Sequence, residues 1–211
     1  MKEDAEADSN ATSGPNAIMS AIANRQHRWT RQQYEQMVSV GILAEDDKLE
    51  LVDGYILDMT PQSSLHANAV AIANRELGRC FGEGYLVRPQ LPLAIGDSSE
   101  PEPDLAVVRG SGWEHRDAHP TETVLLVEVA QSSLAFDRGL KRTIYAEAGV
   151  PEYWIVNLDQ GVLEVYREPS PEGFGDQRIL RRGDTIQPLA AAGASIAVAD
   201  LLPPAGSGTA N

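Results

Sequence analysis

The apolar positions of this chain change period several times between Thr30 and Leu202, and each change marks an element. After Thr30, whose hydroxyl can cap a helix, Tyr34, Met37 and Val38 share one helical face and Gly41 marks the stop. KLELVDGYILDM switches to alternation on both sides of Asp53-Gly54, a strong hairpin signal, with Glu50 pointing opposite to Leu49 and Leu51. From Ser63 or Ser64 the period is helical again. Leu65, Ala69, Ile72, Leu77 and Cys80 form the face to be buried, ending near Phe81 before Gly82 and Gly84. YLVRPQ and LPLAI then predict two strands ahead of the turn residues GDSS.

Pro101 and Pro103 push the residues before them out of the helical region, so the chain reaches Asp104 extended and LAVV continues as a strand. A polar loop over 109–120 leads to TVLLVEVA, apolar on both faces and therefore a buried strand. Asp137 is placed to cap a helix from Arg138 to Ala148, which Gly149 and Pro151 end. EYWIVN and VLEVYR pair across the turn at Asp159–Gly161, with weaker strands between Arg178 and Leu201. Strands and helices out of strict alternation predict a mixed α+β domain over 27–202, not a doubly wound one. Residues 1–26 and 203–211, polar and small, are expected to be flexible tails.

Charge narrows the function classes. Across 211 residues the net charge is −14, which opposes indiscriminate binding to a polyanion. Basic residues cluster only locally, at Arg138, Lys141 and Arg142 and at Arg178, Arg181 and Arg182. No apolar run reaches the roughly 20 residues of a membrane span. The acidic N-terminus does not read as a secretory signal, and the lone Cys80 suits a reducing, cytoplasmic setting and a small core residue.

Two acids stand out against this background. Asp104 opens one apolar strand and Glu128 interrupts another, and a carboxylate in such a run needs a partner. Two on neighbouring strands repel unless a cation lies between them. Their oxygens, with the Val129 carbonyl as a third ligand, are the hard donors that Mg2+ or Mn2+ takes. Asp137, Lys141 and Tyr145 are four apart and share a helix face, from which Lys141 could support charge on a phosphoryl oxygen. The competing reading of Glu128 is a structural ion pair with Lys141 or an arginine. His115 and His119 lie in a loop and read as solvated, Tyr145 and Trp154 as core. No P-loop, dinucleotide fingerprint or nucleophile elbow is present.

The segments LELVDGYILDM, SSLHANAVA, PEPDLAVV, LLVEVAQSS and FDRGLKRTIYAEAGVPEYWIVN resemble the Uma-two family of restriction-endonuclease-like proteins, part of the PD-(D/E)xK nuclease superfamily. That resemblance spans about Thr30 to Arg167. It implies a restriction-endonuclease-like core, a mixed sheet flanked by helices with the active site at one edge, and DNA phosphodiester hydrolysis with Mg2+ or Mn2+. It also implies Asp104 and Glu128 as the acids on the metal, Glu50 as an additional acid, and His66 at the start of the second helix near substrate. The lysine usually found two residues after the second acid is Ala130 here, and the resemblance of KRTIY to the (Q/K)xxxY helix pattern of related nucleases implies Lys141 as the substitute. Arg138 and Arg142 would then face a phosphate backbone. A second class of function is a non-catalytic binding or assembly module that keeps the fold; a homodimer is compatible with either.

Overall fold

The computed structural model describes residues 25–44 and 46–204, so the expected tails lie largely outside the described residues. Helix α1 (Arg31–Ser39) begins at Thr30, whose hydroxyl accepts from the Gln33 amide while the Gln33 side chain returns to the Thr30 amide. This reciprocal box satisfies two amides that the first turn leaves free. Strands β1 (Leu49–Val52) and β2 (Tyr55–Asp58) form the expected hairpin, with Asp53 and Gly54 both at positive φ. Helix α2 (Ser64–Phe81) is capped by Ser63. Its buried positions are Ala69, Val70, Ala73, Leu77 and Phe81, with Cys80 half-buried at the rim.

A six-stranded sheet follows in the order β3 (Tyr85–Pro89), β4 (Leu105–Arg109), β5 (Leu125–Ala130), β6 (Glu152–Asn157), β7 (Val162–Ser170) and β8 (Gly173–Leu180). Only β5 and β6 run parallel; the other neighbours are antiparallel. A parallel pair needs a crossover, and the helical stretch between β5 and β6 supplies it. That stretch is α3 (Leu134–Phe136), a π turn (Asp137–Lys141) and α4 (Arg142–Glu147). Short strands β9 (Thr185–Ile186) and β10 (Ile196–Ala197) pair with each other, and α5 (Val198–Leu201) follows.

Side-chain alternation sends each strand's residues to two separate cores. Leu125, Val127 and Val129 of β5 pack with α2 and α5 on one face. Leu126 and Ala130 pack with Ile144 and Tyr145 of α4 on the other. Glu128 has the same parity as Leu126 and Ala130, so the strand itself directs this carboxylate at the crossover helices.

Three elements differ from expectation. LPLAI is buried only from Leu93 to Ile95 and is not a strand: Leu93 and Ala94 donate to the carbonyls of Pro101 and Pro120, and Ile95 alone makes a bridge, to Ser99. The strand expected near Arg178 begins at Gly173, where a tight turn after Ser170 starts a long hairpin with β7. Helical structure starts at Leu134, so Asp137 is not a cap; it lies inside the π turn, buried, accepting from Ser133 Oγ at 2.6 Å.

Candidate active site

The first two acids meet where β4 ends. β4 pairs with β5 only as far as Leu105 opposite Val127, and Asp104 just precedes it. The Asp104 amide donates to Glu128 Oε2 at 3.3 Å, and Asp104 Oδ2 accepts from the Val129 amide at 2.8 Å. Each acid is thus held by the other's strand. Continuing the register would set Val129 opposite Pro103, which has no N–H to donate. The N–H and C=O of an extended residue project to the same edge, so the Val129 carbonyl faces the Asp104 side without a donor from Pro103. Val129 itself belongs to an inner strand and is buried. The expected exposed edge is therefore an uncovered strand end, and the site sits at one end of the sheet rather than along an outer strand.

The crossover closes the site from one face. Lys141 Nζ donates to Glu128 Oε1 at 3.0 Å and lies 3.5 Å from Glu50 Oε2. Tyr145 OH donates to the same Glu128 oxygen at 2.8 Å. Glu50, which a hairpin position alone would leave solvated, is 6 % exposed, and its Oε2 accepts from the Glu102 amide. From the opposite face, the start of α2 brings His66 Nε2 within 3.1 Å of Asp104 Oδ2. Gln90 Nε2 reaches Asp104 Oδ1 at 3.3 Å. The structure thus gathers Glu50, Asp104, Glu128, Lys141 and His66 around one pocket of about 630 Å³.

Burial pushes the Glu128 carboxyl well up, with the Lys141 charge pulling the other way. Burial also lifts Asp137 to about 6, against the Ser133 hydrogen bond and Lys141. Burial alone would lower Lys141; the carboxylates of Glu128, Glu50 and Asp137 more than reverse this and keep its ammonium charged. The hydrogen bond to Asp104 raises His66 against its own desolvation. Four acids thus surround one lysine and one histidine, a surplus of acidic groups in a poorly hydrated place that a further cation would let ionise.

That surplus and the donor set fit a hard divalent cation. Asp104 Oδ1 and Glu128 Oε2 each carry only one weak protein hydrogen bond, at 3.3 Å, and so keep a lone pair free. Among the described residues no three His, Cys, Asp or Glu side chains are gathered so as to hold a metal by themselves. A main-chain carbonyl such as that of Val129, with water, would complete the shell.

Arg138 and Arg142 do not join this group. Arg138 makes a two-pronged pair with Glu164, at 2.8 and 2.6 Å, and Arg142 lies over the Tyr166 ring. Glu164 is fully buried and also accepts from Asn157 and Tyr166; burial would raise it, but these donors hold it below the usual carboxylate range. Arg138→Ala should therefore cost about 2 kcal/mol by stranding a buried carboxylate. Urea unfolding would show that loss, while affinity for nucleic acid stays unchanged. His119 lies 3.9 Å from Glu100, and His115 ends a short 3-10 turn; neither approaches the acids.

Tyr145 was placed on the helix face of Asp137 and Lys141 but read as a core residue; its hydroxyl finds Glu128 only once the helix crosses β5. Asp137 was hidden by its resemblance to a cap.

A family model described as "Putative restriction endonuclease" (Uma2) matches residues 31–199. The chain belongs to this Uma2 family. A crystal structure of a putative nuclease belonging to DUF820 from Anabaena variabilis ATCC 29413 is similar, with a TM-score of 0.63 at 15% identity over 82% of this chain and 96% of that one. At that identity the likeness establishes the fold. No curated protein matches the chain. Among the described residues no helix is long and apolar enough to cross a membrane.

Proposed function

We propose that this Uma2 protein is a Mg2+- or Mn2+-dependent endonuclease that hydrolyses DNA phosphodiester bonds. The observation that carries the reading is the position of Lys141. Ala130 stands where the superfamily pattern expects lysine, yet Lys141 brings an ammonium from the crossover to within 3.0 Å of Glu128. The lysine is refilled from a different element, and a metal-site acid keeps its cationic neighbour.

Asp104 and Glu128, with the Val129 carbonyl, would hold the ion, and Glu50 would lie beside it. The ion supplies charge to the phosphoryl group and acidifies water. Lys141 supports the negative charge that develops on a phosphoryl oxygen. Tyr145 fixes the Glu128 carboxylate by donating to it, and His66 does the same for Asp104 from the other face.

The test is a cleavage assay on supercoiled and single-stranded DNA with EDTA, Mg2+ or Mn2+. Nicking that requires metal and vanishes in Asp104→Asn is the expected result. Unchanged Mn2+ affinity in both Asp104→Asn and Glu128→Gln would refute the site. Metal binding controlled by these residues, with no cleavage of any DNA, would replace the reading by a binding module that has kept the fold.

A further inference from the structure

The charge and shape of the pocket say more about the substrate than the acids alone do. Resting on the nuclease reading, we infer that the site accepts a single unpaired nucleotide, from a single strand or extruded from a duplex, and not an intact duplex tract.

A protein that tracks duplex DNA neutralises many phosphates with lysine and arginine along its contact surface. Here six acids among the described residues line the pocket: Glu50, Asp58, Glu102, Asp104, Glu128 and Asp137. Among the described residues Lys141 is the one lysine or arginine in the lining, and it is 6 % exposed at the floor, engaged by two carboxylates. Lys48 acts on Glu102 from outside the lining, and Arg138 and Arg142 are turned to Glu164 and Tyr166. With a bound cation beside Lys141 one phosphate could be held at the floor; further phosphates would face a lining that includes Asp58 and Glu102.

The lining can also receive a base. Leu57, Met59, Pro61 and Phe136 contribute its apolar part, and the half-buried Phe136 ring lies under the Lys141 ammonium, 5.7 Å from its centroid. Gln131 Oε1 accepts from Ser63 Oγ at 2.7 Å, which leaves its amide hydrogens to donate. Gln62 is exposed beside it, carrying both a donor and an acceptor. Apolar side chains and a few amides within a half-open concavity of about 630 Å³ suit a small planar group. Enzymes that take one nucleotide out of the stack use this combination of stacking and base-edge hydrogen bonds.

The experiment measures binding of the full chain to three fluorescently labelled oligonucleotides by anisotropy. They are a single strand, its perfect duplex, and the duplex with one extrahelical nucleotide. Ca2+ replaces Mg2+ because it takes the same oxygen ligands. The single strand and the bulged duplex should bind at least tenfold tighter than the perfect duplex. Their affinity should fall with salt at a log–log slope of about −1, as for one or two phosphates. Phe136→Leu, which keeps an apolar side chain without the ring, should shrink the preference about fivefold or more. Gln62→Ala, an exposed change that cannot affect folding much, should also shrink it.

Equal or tighter binding of the perfect duplex, a slope typical of many phosphates, or no binding of any of the three would overturn the inference. Cleavage with Mn2+ is scored separately. Selective binding without cleavage would sink the nuclease reading and keep the pocket's preference, whereas cleavage with duplex preference would do the reverse.

Discussion

Lys141→Met should lower the stability of the metal-free protein by about 3–5 kcal/mol at pH 8, the loss typical when one member of a buried ion pair is removed. The methionine fills much of the same volume, so the loss is electrostatic more than steric. Lys141 is the ammonium closest to Glu128 and Glu50, at 3.0 and 3.5 Å, and its charge also acts on Asp137. Without it, burial and mutual repulsion drive the Glu128 and Asp137 carboxyls further up, and the folded state must take up protons that the unfolded chain does not. Stability of the variant therefore falls as pH rises from the ordinary carboxylate range towards the raised folded values, so the deficit is larger at pH 8 than at pH 5. Two additions separate this from simple loss of packing. Mg2+ or Mn2+ should restore part of the deficit, because a bound cation replaces the missing charge. Adding Glu128→Gln should recover a further part, because it removes the stranded charge. Urea midpoints with and without metal decide the matter, and a deficit indifferent to pH, metal and the second substitution would mean that Lys141 acts by packing alone.

The same electrostatics explain which parts of the molecule could be read in advance. Thr30, Asp53-Gly54 and Ser63 act through neighbours within a few residues, so their cap, turn and cap were visible as local pattern. Glu128 was visible because an acid in an apolar strand demands a partner. VLEVYR sends the same signal at Glu164 and EYW sends it at Glu152, and both are fully buried with arginine partners. The pattern was there to be read; what it lacked was the cross-sheet geometry that separates an arginine-paired acid from one facing a pocket. LPLAI failed for a different reason. Leu93, Ala94 and Ile95 are buried, but Pro92 and the turn that follows route the Leu93 and Ala94 amides to Pro101 and Pro120 instead of to a ladder. The π turn at Asp137 depends on tertiary contact, with Tyr153 OH donating to the Asp137 carbonyl, and no local rule anticipates it. His66 meeting Asp104 depends on α2 packing across the start of β4; the family pattern singled out His66 but not this contact.

A second expected result concerns Glu100, an acid outside the pocket that helps hold the hairpin carrying Glu50. Glu100 exchanges backbone hydrogen bonds with Leu51 of β1, and its side chain is 6 % exposed with one oxygen unpartnered. Burial, the Glu35 charge and a hydrogen bond shared with Glu35 push its carboxyl up to about 7, against the pull of Arg31 and with a further push from Glu102. His119 stands 3.9 Å away and is itself lowered by desolvation and by Arg88. Between the ordinary carboxylate value and about 7, the folded protein holds a proton that the unfolded chain has released. Stability therefore decreases as pH rises through that window, at a slope approaching about 1.4 kcal/mol per pH unit for one proton. The full effect is on the order of 2–3 kcal/mol, present below the window and lost above it. Glu100→Gln keeps the shape and the neutral donor, so its stability should lack this component. The difference between wild type and Glu100→Gln, measured by urea unfolding at pH 5, 6, 7 and 8, isolates Glu100 from the site carboxyls, which titrate in both proteins. A difference that does not change with pH would mean that Glu100 is ionised throughout, with Arg31 rather than a proton balancing it.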